Sequence, residues 1–183
     1  MRVALYPEYS SLNGKPIFKA LIDHLRSKNE QVFINEDRNC DVAVIWSVLW
    51  QGRMQPNKEI WEKFRGSGRP VVVLEVGGIN RNKSFKIVIN GINREADFAN
   101  QTFDDKRWPL FDINLEPWKQ TGNVIVVCGQ HHTSHQWREN PSMKVYFKQT
   151  IEQIRRYTDK PIVLRPHPRN PVQNFPYDSF KHV

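Results

Sequence analysis

The chain has 183 residues, of which 39% are hydrophobic and 25% charged, with a net charge of +8. That length builds one domain with a sizeable core or two small ones, and the composition excludes a disordered or fibrous chain. The basic excess points to polyanionic partners such as a nucleotide, a nucleic acid or an acidic surface; no Lys/Arg block concentrates it, so a single nucleotide pocket accounts for much of it.

In chain order, Arg2 to Tyr6 reads as a first strand, and its apolar run is too short for a signal peptide. Pro7 to Gly14 is a polar, turn-rich loop. Lys15 to Lys28 carries Ile17, Phe18, Leu21, Ile22 and Leu25 at helical spacing. Gln31 to Ile34 and Asp41 to Trp46 follow as strands, the second apolar enough to be buried on both faces. Pro56 suits the first turn of a helix that buries Ile60, Trp61 and Phe64 and is closed by Gly66-Ser67-Gly68. Arg69 to Val76 is the most strongly β segment of the chain. Strands alternating with helices at these lengths predict βαβ units, a parallel sheet and right-handed crossovers. The loops after Tyr6, Trp46 and Val76 then leave the carboxyl edge, where open α/β sheets bind ligands.

Two of those loops carry candidate residues. Ser47 to Pro56 exposes Trp50, Gln51, Gly52 and Arg53. The fourth strand ends in Glu75 and Val76, followed by Gly77, Gly78, Asn80 and Arg81, where a glycine pair lets a ligand approach the backbone closely. Glycines needed only for turning are the alternative, and without GxGxxG spacing a dinucleotide fingerprint is not supported. Ser84 to Asn90 reads as a further strand ended by an Asn90-Gly91 turn. Asn93 to Asn100, which includes Asp97, is a short helix or an irregular loop. Residues 1–100 are therefore read as a first, acceptor-side domain, and 101–122 as a linker. Its aromatic residues, among them Trp108, Phe111 and Trp118, are expected to pack on a neighbouring surface.

Residues 123–183 make a second unit. Asn123 to Val127 is a strand that empties into residues 128–137, and Asn140 caps a helix with Pro141 at its first position. Met143, Phe147, Ile151 and Ile154 form the apolar stripe of that helix. His131, His132 and His135 invite a metal reading, but adjacent histidines in a strand point to opposite faces and no acidic ligand stands nearby, so no metal is expected. Gln130 and Ser134, at the strand-to-loop edge, are the candidate ligand contacts. The cysteines, Cys40 and Cys128, fall at opposite ends of the sheets and are expected to stay unpaired, in keeping with a reducing cytosol. No run approaches the ~20 apolar residues of a membrane helix, so no membrane span and a cytoplasmic location are expected.

Ile162 to Leu164 forms a buried strand that runs into Arg165-Pro166-His167-Pro168-Arg169. Each proline fixes its own φ and favours extended geometry in the residue before it, which predicts Arg165, His167 and Arg169 on one side of an extended chain. Two guanidinium groups flanking an imidazole suit a phosphate or diphosphate. The alternative is a stiff basic loop whose arginines pair with local carboxylates.

A strand ending in a polar Gly129-Gln130 loop, one helix, and a strand running into Arg165-Pro166-His167-Pro168-Arg169 resembles the start of the carboxyl-terminal half of glycosyltransferase-B-fold enzymes. The capsule-polysaccharide transferases and the related sialyl- and glycerophosphotransferases are the most similar groups, and the resemblance covers about a third of the chain. It implies two Rossmann-like parallel-sheet lobes, with His167-Pro168 at the phosphate of a nucleotide-sugar donor and Arg165 and Arg169 beside it. The family's second lobe is about as large as its first, whereas 65 residues follow Trp118 and 14 follow Arg169, so the expectation is an incomplete second lobe, either because the chain is part of a longer protein or because that lobe is cut down.

The function expected is transfer of a sugar from a nucleotide-sugar donor to a polysaccharide or a modified DNA base, with no cofactor besides that donor as substrate. Donor contacts are assigned to Arg165, His167, Arg169, Gln130 and Ser134. The acceptor side of the cleft takes Gly77, Gly78, Asn80, Arg81, Trp50 and Arg53. Glu75 is the first choice for the carboxylate that deprotonates the acceptor, and Asp97 the second. The alternative is a non-catalytic nucleotide- or nucleic-acid-binding protein on the same basic surface, with Trp46, Trp50, Trp108 and Trp137 stacking bases.

Overall fold

The computed structural model describes residues 1–81, 83–97, 105–106, 108–119 and 121–172. The chain divides into two compact units, Met1–Asn114 and Leu115–Val183. In the first, β1 (Arg2–Leu5), α1 (Lys15–Ser27), β2 (Gln31–Ile34), β3 (Val42–Trp46), α2 (Asn57–Gly66), β4 (Val71–Val76) and β5 (Phe85–Ile89) follow one another. They build a five-stranded sheet of order β2-β1-β3-β4-β5. The fold is mixed α/β, and the sheet is mostly parallel.

Side-chain alternation along the strands separates two cores. Val3, Leu5, Val44, Trp46 and Leu74 pack with Phe18, Leu21 and Ile22 of α1, whereas Ala4, Ala43, Ile45, Val71 and Val73 pack with Ile60, Trp61 and Phe64 of α2. The two helices thus cover opposite faces, and β3 between them is buried at all five residues. This is the near-continuous apolar run of a strand covered on both sides.

The expectation of an all-parallel sheet fails at β5, which pairs antiparallel with β4 from Val76↔Phe85 to Val72↔Ile89. Residues 77–84 are too short for a crossover, which needs a dozen or more, so the chain turns back as a hairpin. The α2 terminus agrees with the glycine signal: Gly68 has φ +73°, and the Arg69 amide donates to Phe64 O at 2.9 Å.

The connection from β2 to β3, residues 35–41, crosses the sheet without a helix. Asp37 anchors it. Its carboxylate takes both Arg69 guanidinium nitrogens at 3.2 Å, Lys63 Nζ at 3.0 Å and the Cys40 amide at 2.9 Å. Arg69 also donates to Cys40 O and lies 3.9 Å from the centre of the Phe64 ring. Burial alone pushes the Asp37 carboxyl up, but the Arg69, Cys40 and Lys63 contacts outweigh it and hold the group well below the usual carboxylate range.

The second unit is a single βαβ unit among its described residues: β6 (Ile125–Cys128), α3 (Met143–Arg155) and β7 (Ile162–Arg165). β6 and β7 are parallel, from Ile125↔Ile162 to Cys128↔Arg165. Val127, Ile162 and Leu164 bury against Met143, Phe147 and Ile151 on one face of this pair. The cap of α3 is Ser142, whose Oγ accepts from the Val145 amide at 3.4 Å, and the expected cap at Asn140 is overturned. Asn140 is engaged in the preceding turn, where its Nδ2 donates to Arg138 O. Both cysteines are free, Cys40 buried and Cys128 exposed. Among the described residues no helix is long and apolar enough to cross a membrane.

Several of the residues expected in the linker fall outside the described ones. Of those described, Trp108 lies 6.4 Å from Phe111, ring to ring, but Trp118 is 94% exposed. Packing of that tryptophan on a neighbouring surface is therefore not observed. It stands in the 112–119 stretch, which has no helix or strand to hold it against a core.

Two measurements test this packing. Asp37→Asn should lower unfolding free energy by about 3 kcal/mol at pH 7, the low end for breaking a buried pair because Lys63 is solvent-exposed. Because the folded carboxyl titrates below its unfolded value, its contribution is complete above about pH 4 and fades as pH falls, so urea unfolding at pH 3 should show a smaller gap. Gly14→Ala would set a Cβ 2.6 Å from Cε3 of the buried Trp46 and should cost about 1–3 kcal/mol. Gly78→Ala, with nothing within 4 Å, should stay within about 0.5 kcal/mol, both glycine variants being read by urea unfolding at pH 7.

Candidate functional site

The parallel pairing of β6 and β7 brings the loops at their carboxyl ends side by side. The Gly129 amide donates to Arg165 O at 2.8 Å. A Cβ at Gly129 would lie 2.8 Å from Phe147 Cζ, so close contact with α3 requires glycine there. Beyond it, His131 stacks on His132 with ring centres 4.9 Å apart, and His167 meets His131 edge-on at 5.2 Å. Asn170 joins the group: its Oδ1 lies 3.0 Å from His132 Nδ1, and its Nδ2 donates to Gln130 O at 3.3 Å.

The hydrogen bonds fix how these rings present themselves. His131 Nδ1 accepts from the Thr133 amide at 3.3 Å, and His167 Nδ1 accepts from the Arg169 amide at 3.1 Å. In the neutral state each ring therefore carries its proton on Nε2 and offers a donor there. His132 donates from Nδ1 to the Asn170 oxygen. Burial, then the neighbouring His132, His167 and Arg169, lowers the pKa of His131. A loop that gathers imidazoles together near an arginine is a place where a negative charge is welcome.

The expectation that Arg165, His167 and Arg169 share one side of an extended chain is overturned. The chain turns at His167–Asn170, with the Asn170 amide donating to His167 O at 2.8 Å and a bridge between the two residues. Pro168 fixes φ at the second position of this turn, which is where β-turns favour proline. Arg169 lies exposed within this turn, while Arg165 is the exposed last residue of β7. Gln130 is engaged within its own loop, its Oε1 accepting from the His131 amide at 3.1 Å. Ser134 is half-buried in a turn, its amide donating to His131 O. Sequence reasoning weighed His131 and His132 only as metal ligands and passed over Asn170. The signal was there: strands that pair in parallel with Cys128 beside Arg165 must set residues 129–133 beside 166–170.

In the first unit the two candidate bases lie at opposite ends of the β4–β5 hairpin. Glu75 pairs across from Lys86, and Asp97 bridges Ile89, which stands opposite Val72. Three residues of strand separate the two places, roughly 10 Å. Glu75 Oε1 accepts from the Val76 amide at 2.8 Å. Gly77 is buried against Ser84, and Asn80 takes a positive φ of 47° with its carbonyl accepting from Lys83 and Ser84. These residues build the hairpin loop: Gly77 is required by its close approach to Ser84, Gly78 stands in open space, and Arg81 is exposed in the same loop.

The loops after β1 and β3 make a second feature, a groove of about 550 Å³ lined by Glu8, Tyr9, Arg53, Gln55, Pro56 and Glu59. Gly52 contributes its backbone with φ +55°. Asn57, fully buried, ties the two loops together: its Nδ2 donates to Trp46 O at 2.8 Å and to Tyr9 O at 3.3 Å. Of the tryptophans proposed to stack bases, Trp46 is 2% exposed and belongs to the core. Trp50 is half-buried against Trp61 at 5.9 Å and Trp137 packs edge-on to Tyr146 at 5.0 Å. Among the described residues no group of three or more His, Cys, Asp or Glu side chains is placed to hold a metal ion. No protein-family model matches the chain, and no curated protein matches it.

Proposed function

We propose that this chain binds a nucleotide sugar by its diphosphate at the carboxyl edge of β6 and β7 and transfers the sugar to an acceptor hydroxyl. The reading takes its two units as the lobes of a glycosyltransferase-B-like protein. The observation that carries it is the pair of imidazoles, His131 and His167, whose Nδ1 atoms are occupied by backbone amides so that both offer Nε2–H donors beside Arg169. Phosphate oxygens accept such donors, and positive charge there stabilises the diphosphate as it leaves the anomeric carbon. In this displacement the acceptor oxygen forms the new bond to the anomeric carbon, the bond to the diphosphate oxygen breaks, and a carboxylate takes the acceptor proton. Glu75 is assigned that last role.

Arg165→Ala and His167→Ala should each weaken binding of uridine, cytidine or guanosine diphosphate by roughly ten- to a hundredfold in titration calorimetry, with little change in unfolding temperature. Unchanged affinity in both variants would move the site elsewhere. Diphosphate affinity should also rise as pH falls from 8 to 6, because a bound anion favours the charged form of His131, whose pKa is lowered in the free protein. Proton uptake on binding, read as a buffer-dependent heat, checks this.

A second reading is favoured by one observation: Glu75 Oε1 is engaged by the Val76 amide, and Lys86 opposite it donates to Asn93 Oδ1, so both side chains serve the hairpin itself. With a net charge of +8, the chain would then bind nucleic acid without catalysis. Affinity for duplex DNA that falls steeply with salt, together with no hydrolysis of any nucleotide sugar, would select it.

A further inference from the structure

The groove at the ends of β1 and β3 differs chemically from the histidine–arginine edge. It stands where the strand order reverses: β1 sends the chain through α1 to β2, and β3 sends it through α2, on the opposite face, to β4. Loops diverging from adjacent parallel strands leave a crevice there, the usual place for a ligand in open α/β sheets. A volume of about 550 Å³ suits one small molecule.

The loops that bear this groove are held in place from beneath. Asn57 bonds both loops, and its Oδ1 has no partner although it is fully buried. Ser47, 1% exposed, is held at φ +60° by its amide bond to Leu74 O. A buried non-glycine residue in the left-handed region costs about 1–3 kcal/mol, and such positions cluster at ligand sites.

The walls choose the ligand. Glu8 and Glu59 supply two carboxylates and Arg53 one guanidinium, and among the described residues none of the three enters an ion pair. Their net charge repels a phosphate. A hydroxyl can donate to a carboxylate while accepting from Arg53 or Gln55, and an ammonium group offers three donors to the two glutamates. Tyr9, stacked on Tyr6 at 6.4 Å and 14°, forms with Pro56 a rigid apolar wall for a C–H face.

We propose that this groove binds a small amino sugar, with its ammonium group between Glu8 and Glu59 and its hydroxyls on Arg53 and Gln55. This goes beyond the nucleotide-sugar reading and does not rest on it: only Arg53 is shared with the residues assigned there, and the ligand is a cationic sugar in place of a diphosphate.

The test is titration calorimetry of the full chain with glucosamine, glucose and N-acetylglucosamine, repeated for Glu59→Gln, Glu8→Gln and, as a control on the same helix, Glu62→Gln. Thermal unfolding of each variant verifies the fold. Glucosamine should bind at least about tenfold more tightly than either uncharged sugar, and Glu59→Gln or Glu8→Gln should remove most of that preference while Glu62→Gln keeps it. Absence of saturable glucosamine binding overturns the proposal. So does equal binding of all three sugars, or equal weakening by Glu62→Gln, which would mark long-range attraction in place of contact.

Discussion

The Asp37 carboxylate holds together a connection that α/β proteins usually make with a helix. Residues 35–41 must pass from the end of β2 to the start of β3, across β1, with nothing regular to cover the sheet. Four donors on Asp37 fasten this segment to Lys63 of α2 and to Arg69 at the entry of β4. With the crossover pinned, Cys40 closes the core over Ala4 and Tyr6. Burial, then the charge on Asp37, pushes the Tyr6 hydroxyl up to about 12, so that ring stays neutral under Tyr9. The wall of the first-unit groove thus leads back to an ion pair on another part of the same face.

The local elements were legible because their patterns are local. Ile17, Phe18, Leu21, Ile22 and Leu25 announce α1, and Gly68 closes α2 where a left-handed residue is needed. What the sequence hid depends on partners. The spacing of Val76 and Phe85 contained the hairpin, but only loop-length arithmetic reveals it, and without β5's direction nothing told that Glu75 and Asp97 stand at opposite ends of it. Proline restraint was read as extension at residues 165–169, whereas Pro168 serves a turn closed by the Asn170 amide. Trp46 looked available because its burial comes from Gly14 and Phe85, which lie far from it in sequence.

The two candidate sites share one economy of construction. In each, backbone and amide groups spend their hydrogen bonds on fixing the polar side chains, leaving chosen atoms unoccupied. Thr133 and Arg169 amides cap one nitrogen of each imidazole. Asn57 holds the Tyr9 and Trp46 carbonyls in place. Preorganisation of this kind lowers the ordering cost on binding, and it sets basic donors in one unit and mixed carboxylate and guanidinium chemistry in the other.

The hairpin at β5 also settles the polarity with which the chain leaves its first sheet. Each parallel strand delivers the backbone to the carboxyl edge of the sheet; the reversal at β5 returns it to the opposite rim, where Asn90 bonds Val71 and Asp97 bridges Ile89. Sequence inserted after Asp97 would therefore emerge at the rim remote from the Glu8–Arg53 groove. The free-energy penalty for a longer flexible loop grows only with the logarithm of its length. Over evolution this stretch can lengthen, shorten or exchange while the groove's geometry is inherited unchanged.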